Sequence, residues 1–143
     1  LIVGPTAKSK KSYLKHLQNK ISNYGIEDKI TITGSRNDIS NIYKISDFVF
    51  NLSITPEPFG RTTIEAISSG SKVLGWNHGG TKEILEELYP DGLVELDNIE
   101  DLVEKVINLS NMTNNMPKEN TFTSERMTNQ TISLYQDLLA KRL

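Results

Sequence analysis

Short apolar runs and longer helical stripes alternate along this chain, and their order predicts its elements. Leu1-Ile2-Val3 is a continuous apolar run closed by Gly4-Pro5, the pattern of a strand buried on both faces. From about Ser9 to Tyr24 the residues Tyr13, Leu14, Leu17, Ile21 and Tyr24 recur at three and four, with Lys and Asn opposite. That spacing predicts a helix with one buried stripe, which Gly25 ends as a left-handed residue after the last turn. The β-branched run Ile30-Thr31-Ile32-Thr33 predicts a strand that ends in Gly34-Ser35-Arg36. A short helix around Asp38 to Ile45 follows, with Ile39, Ile42 and Tyr43 inward, and then the strand Phe48-Val49-Phe50.

The order then repeats. A Pro-rich loop leads into a helix that Gly70 stops, a strand runs from Lys72 to Trp76, a helix spans Thr81 to Leu88 on Ile84, Leu85 and Leu88, and a short strand covers Leu93-Val94. Asn98 caps the next helix, whose stripe is Leu102, Val103, Val106 and Ile107. Asn111 to Thr121 is polar, carries Pro117 and lacks periodicity, so it reads as a linker with little fixed structure. Ser124 caps a last helix with Glu125 in its first turn, Lys141 and Arg142 in its last, and Met127, Leu134, Tyr135, Leu138 and Leu139 along one side. Five strands with helices between them predict an α/β fold with a doubly wound parallel sheet.

Composition narrows the function more than the fold. With 143 residues, the chain is one domain by length and large enough to bury roughly 70% of its unfolded surface. A net charge of −2 and a pI near 5.7 provide no basic footprint, which argues against nucleic acid as the main partner. The absence of Cys excludes a disulfide scaffold and Cys-ligated zinc, and fits a reducing compartment. No apolar run approaches the roughly 18 residues of a membrane span, and no signal-peptide pattern opens the chain. The two His, His16 and His78, lie far apart in sequence and there is no Asp-x-Asp. Neither a zinc site nor a magnesium site has a visible ligand set.

Candidate chemistry concentrates between Leu52 and Gly80. Where a strand passes through a loop into a helix, the helix's first amides lack intrahelical partners and point to the strand's carboxyl end, where open α/β sheets bind ligands. Anions are favoured there. Glu57 lies just before that helix and Glu65 about a turn and a half inside it. Either one alone is bland: a Glu between prolines reads as a solvated loop carboxylate, a helical Glu as a surface residue. Held apart, the two suit hydroxyl groups on one extended ligand. Gly60 lacks a Cβ, so a ligand can approach the backbone closely, and Arg61, Thr62 and Thr63 add amides and hydroxyls for an anion. The Phe59 ring is expected to tuck into the core. His78-Gly79-Gly80 reads as a turn that shapes the pocket and starts the next helix.

Taken together, Glu57-Pro58-Phe59-Gly60, Arg61-Thr62-Thr63-Ile64-Glu65-Ala66, Gly70 and His78-Gly79-Gly80 resemble the Glu-x7-Glu signature region of the retaining, nucleotide-sugar-dependent glycosyltransferases of family 4 (group 1). Those enzymes have the GT-B fold, and the resemblance implies its Rossmann-like C-terminal half. It implies that Glu57 is the catalytic candidate and binds donor-sugar hydroxyls, and that Phe59, Gly60, Arg61, Thr62 and Thr63 serve sugar and phosphates. Glu65 would take the ribose, and Gly34, Ser35 and Arg36 the ribose or base. No cofactor or metal is implied beyond the donor, a UDP-, GDP- or ADP-sugar; the acceptor would be a glycan or lipid-linked glycan.

The resemblance also implies a division of the chain. Residues 1–110 would form the nucleotide-sugar-binding domain without its first strand, 111–121 the linker, and 122–143 a helix packing on an upstream GT-B domain. An Arg and a Lys that neutralise the leaving diphosphate would lie before Leu1. The chain by itself is therefore expected to bind donor weakly, transfer nothing measurable, and expose part of its last apolar stripe. A cytoplasmic location is implied, free or peripheral at the inner membrane face, in polysaccharide or lipid-linked glycan synthesis. Two alternatives stay open: a nucleotide-sugar epimerase of the same fold, and a non-catalytic nucleotide-binding or assembly module.

Overall fold

Strands and helices alternate throughout the structure, a computed structural model that describes residues 1–5, 11–112, 116 and 120–141. The start of the first predicted helix at Ser9, most of the linker with Pro117, and Arg142 lie outside the described residues. The elements are β1 (Ile2–Val3), α1 (Lys11–Asn23), β2 (Ile32–Gly34), α2 (Ile39–Lys44), β3 (Phe48–Asn51), α3 (Arg61–Ser68), β4 (Lys72–Trp76), α4 (Gly79–Leu88), β5 (Leu93–Val94), α5 (Ile99–Ser110) and α6 (Ser124–Ala140). A 3-10 turn, Pro90–Gly92, joins α4 to β5. The fold is α/β and every strand pair is parallel, as the alternation predicts. Among the described residues the ladders form two parallel sheets, of two and three strands. They belong to two units, Leu1–Ile39 and Ser40–Leu143.

In the first unit β1 pairs with β2, Ile2 opposite Ile32 and Val3 opposite Gly34. Leu1 and Ile2 are exposed, against the expectation of a strand buried on both faces. An apolar run needs a layer on each side to be covered, and among the described residues β1 has one strand neighbour. On α1, Ile21 is buried and Leu14 and Leu17 are half-buried, whereas Tyr13 and Tyr24 are exposed. The stripe is narrower than predicted, because Tyr13 sits about 100° around the helix from Leu14 and Tyr24 lies past the last turn. Gly25 does end the helix in the left-handed region (φ +61°), and the Ile26 amide reaches back to the Ile21 carbonyl.

The second unit carries the core. Its strand order is β3-β4-β5, with Asn51 opposite Gly75 and Trp76 opposite Val94. Val73, Leu74 and Val94 of the sheet meet Ala66 and Ile67 of α3 and Ile84 and Leu85 of α4, all buried. At the end of α3 the Gly70 amide donates to Ile67 O and the Ser71 amide to Ala66 O, with Gly70 at φ +86°. This pair of bonds satisfies carbonyls the helix leaves open. Lys72 does the same for α5, donating from Nζ to the carbonyls of Leu109 and Met112. Val103 and Ile107 of the predicted α5 stripe are exposed, and Leu109, outside that stripe, is the buried residue.

Asn98 caps α5 as predicted, its side chain accepting from the Asp101 amide over 3.0 Å. Asn98→Ala should therefore lower stability by about 1 kcal/mol, read as a shift of the urea midpoint without a change in slope. On α6 the cap is Thr123, which accepts from the Arg126 amide, and Ser124 is the first helical residue. Lys141 stands just past the helix end, not in its last turn. Met127, Leu134, Tyr135, Leu138 and Leu139 are each more than half exposed. Among the described residues no helix is long and apolar enough to cross a membrane.

Candidate functional site

One strand's carboxyl end and the amino ends of two helices converge after β3. The strand stops at Asn51, the loop from Leu52 to Gly60 crosses in front of it, and α3 and α4 both begin beside that loop. What joins loop to α4 is backbone against backbone: the Gly80 amide donates to the Glu57 carbonyl over 2.8 Å. A Cβ on Gly80 would lie 2.6 Å from Phe59 Cα and closer still to the Phe59 carbonyl, and one on Gly79 would lie 2.9 Å from the Glu57 carbonyl oxygen. His78 caps α4 in an extended conformation, and its Nε2 lies 2.8 Å from the Ser53 carbonyl. A carbonyl only accepts, so Nε2 carries the proton. His78 thus shapes the turn, as expected for it.

Asn51 is the buried centre of the arrangement, and nothing in the apolar and motif patterns singled it out. Its Nδ2 has three acceptors in reach, Glu57 Oε2 (3.2 Å), Thr63 Oγ1 (3.1 Å) and Thr81 Oγ1 (3.0 Å), and shares its two protons among them. One amide group therefore ties the strand end to the loop, to α3 and to α4. The signal available in sequence was a lone polar residue closing the apolar run Phe48-Val49-Phe50. Glu57 is half-buried and is oriented by this one neutral donor among the described residues.

At the start of α3, Gly60 occupies the cap position with φ +83° and no side chain caps the helix. Thr63 and Ile64 donate their amides to the Gly60 carbonyl. Among the described residues, none accepts from the amides of Arg61 or Thr62. Those two donors, with the positive end of the helix dipole, make a place for an anion. Glu65 pairs with Arg61 one turn back, Nη2 to Oε1 at 3.0 Å, with Arg61 itself 82% exposed. An exposed pair of this kind contributes little and opens readily. Burial pushes the Tyr43 hydroxyl above its ordinary pKa, the Glu65 charge adds to the rise, and a hydrogen bond with Thr62 opposes it.

Two expectations need correction. Thr63 is fully buried, its hydroxyl accepts from Asn51 Nδ2 and its amide donates to the Gly60 carbonyl; with no exposed surface it holds the site together and does not face a ligand. The Phe59 ring is 48% exposed rather than tucked into the core, and meets Phe122 edge-on with centroids 6.3 Å apart. Gly80 lies against the Phe59 backbone, where an added Cβ would not fit. A cavity of about 460 Å³ opens beside this ring, lined also by Phe122, Arg126 and Met127. Gly34, Ser35 and Arg36 lie in the first unit. There Gly34 has φ +70° and Arg36 is held bidentately by Asp38 at 2.8 and 2.7 Å. Among the described residues no three His, Cys, Asp or Glu side chains are grouped to hold a metal ion.

The chain is similar to known proteins in sequence and in fold. Residues 1–126 match the family profile described as glycosyl transferases group 1. Mannosylfructose-phosphate synthase of Agrobacterium fabrum is 39% identical over 69 residues, 47% of this chain and 15% of that enzyme. N-acetyl-alpha-D-glucosaminyl L-malate synthase of Bacillus anthracis is 25% identical over 128 residues, 83% of this chain and 33% of that enzyme. Among solved structures, a glycosyltransferase of Rickettsia africae matches 96% of this chain with 39% of its own, at 28% identity and a TM-score of 0.79. Anabaena HepE in complex with UDP and glucose matches 76% of this chain with 30% of its own, at 28% identity and a TM-score of 0.71.

Proposed function

Since the chain belongs to the group 1 glycosyl transferases, we propose that it is the part of such an enzyme that holds a nucleotide-sugar donor for transfer to a glycan or lipid-linked acceptor. The chain spans 15% and 33% of the two curated enzymes it matches, so the complete reaction is a property of a longer protein on this reading. Transfer is retaining and needs no metal, two features that rest on the family resemblance. Residues 1–110 serve as the donor domain, 111–121 as linker and 122–143 as a helix that packs on an upstream domain. The working location is the cytoplasm or the inner membrane face.

The observation that carries the proposal is the helix start with two amides that have no acceptor among the described residues, beside Glu57, which Asn51 holds in place. Arg61 and Thr62 amides take the diphosphate oxygens, Glu57 takes hydroxyls of the sugar and Glu65 those of the ribose. Gly60 and Phe59 serve through their backbone, Arg61 adds a nearby cation, and Gly34, Ser35 and Arg36 are the candidates for base or ribose. Preorganised donors at the phosphates stabilise charge as the diphosphate leaves. HepE was crystallised with UDP and glucose, which makes UDP the first nucleotide to try. Because the resemblance puts an Arg and a Lys for the leaving group elsewhere, binding by this chain is expected to be weak.

Ligand-observed NMR with UDP, GDP and ADP tests the reading. One of them should bind, and Glu65→Ala should weaken it roughly tenfold, the loss of one charge-assisted hydrogen bond pair. Glu57→Ala should leave the free nucleotide diphosphate unaffected while weakening the nucleotide sugar. Failure of all three nucleotides to bind, also with the upstream half present, would favour a non-catalytic module. A new nucleotide sugar formed from labelled donor without acceptor would favour the epimerase.

A further inference from the structure

The start of α6 is fastened to the donor loop by a chain of contacts that the family motif does not include. Arg126 Nη1 donates to Glu87 Oε1 at 2.7 Å and to the Thr121 carbonyl at 3.3 Å. The Thr121 hydroxyl donates to the same Glu87 oxygen. The Arg126 guanidinium lies 5.6 Å over the Phe122 ring, and Phe122 in turn meets Phe59 edge-on at 75°. Asn120 Nδ2 adds a bond to Ser68 Oγ at the far end of α3, 3.0 Å away. Hydrogen bonds from Arg126 and Thr121 hold the Glu87 carboxyl below its ordinary pKa. A lone surface ion pair would do little. Here one carboxylate gathers two donors, and the same cation covers the ring that touches the loop, so these residues are ordered together.

We propose that Phe122, locked by Arg126 and Glu87, is a positioning residue for the diphosphate site, acting on it through Phe59. The inference rests on the reading of the α3 start as that site. Phe59 immediately precedes Gly60, whose left-handed conformation opens α3. Gly80 fixes the Phe59 backbone from one side, and Phe122 fixes its ring from the other. The cavity beside the ring gives it room to swing once Phe122 is released. Holding the ring constrains the residue that leads into the left-handed Gly60, and so the entry to the turn that carries the Arg61 and Thr62 amides; a released ring leaves that entry less constrained. The seat of α6 on α4 is thereby coupled to nucleotide binding at a distance from any atom that touches the nucleotide.

The test uses the 143-residue chain, UDP as the probe, and charge exchange across the pair. Glu87→Arg adds positive charge to the unit that carries the anion site, so long-range electrostatics alone would favour UDP. Positioning predicts the opposite, a loss of roughly three- to tenfold, the range one aromatic and ion-pair contact can transmit. Arg126→Glu should weaken UDP likewise, and the Glu87→Arg/Arg126→Glu exchange should restore it to within about twofold, as a reconstituted pair does. Phe122→Leu should weaken UDP as much as Glu87→Arg, with no further loss when the two are combined. Thermal melts of each variant report folding separately. Unchanged or tighter UDP binding by Glu87→Arg, or an exchange that recovers nothing, overturns the proposal. If Glu65→Ala leaves UDP binding intact, or the wild-type chain and its longer form both ignore UDP, the site assignment itself falls and the proposal with it. A response to Glu65→Ala without one to Glu87→Arg or Phe122→Leu removes only the positioning role.

Discussion

Gly80→Ala is expected to cost about 3 kcal/mol or more of stability, the upper part of the overpacking range, and to open the loop that carries Glu57. The added Cβ would lie 2.6 Å from Phe59 Cα and nearer to the Phe59 carbonyl. Those are backbone atoms, so no side chain can rotate away to make room. The Gly80 amide also donates to Glu57 O, hence the two backbones must part as a unit and the clasp is lost. Conformation is not the cause, since Gly80 is absent from the glycines with positive φ. Gly25→Ala supplies the contrast: φ is +61° there but nothing lies within 4 Å of the added atom, so only the left-handed penalty of about 1–2 kcal/mol applies. Urea midpoints of the two variants decide the matter. A Gly80→Ala shift no larger than that of Gly25→Ala would mean that the loop and α4 are not in the contact described.

How much of this was legible in the sequence depends on what each feature needs. The order of strands and helices needed only local periodicity, and it came through, as did the ends at Gly25 and Gly70 and the Asn98 cap. Each of these is decided within a few residues of the chain. Features decided by distant residues did not come through. The burial of Thr63 follows from Asn51 reaching across from β3, and a helical Thr beside a glycine looks identical whether it faces a ligand or the core. Phe59 was expected inside because it is aromatic, yet it stays about half exposed and its ring meets Phe122, far along the chain. The cap of α6 shifted by one residue because Thr123 and Ser124 are equally good caps in isolation. The two acids were found through the motif, and the group that orients one of them was not, since a single Asn at a strand end carries no periodicity.

Asn51 separates stability from ligand binding, and its substitutions should show the two apart. It is 6% exposed, and its amide serves Thr63 Oγ1, fully buried, and Thr81 Oγ1, 5% exposed, besides Glu57. Asn51→Ala deletes the donor from all three at once. Leaving two buried hydroxyls short of a partner costs about 1–3 kcal/mol each, so a loss of about 3 kcal/mol is expected, together with loss of nucleotide-sugar binding through a released Glu57. Asn51→Asp keeps the size and exchanges donor for acceptor. The Thr63 and Thr81 hydroxyls can rotate and donate to the new carboxylate, which restores much of the stability. Glu57 Oε2, placed 3.2 Å from the old amide nitrogen, now faces a like charge and is driven from its position. Asn51→Asp should therefore melt closer to wild type than Asn51→Ala does, yet hold a nucleotide sugar no better than it. Wild-type affinity for the nucleotide sugar in Asn51→Asp would show that Glu57 does not depend on Asn51 for its orientation.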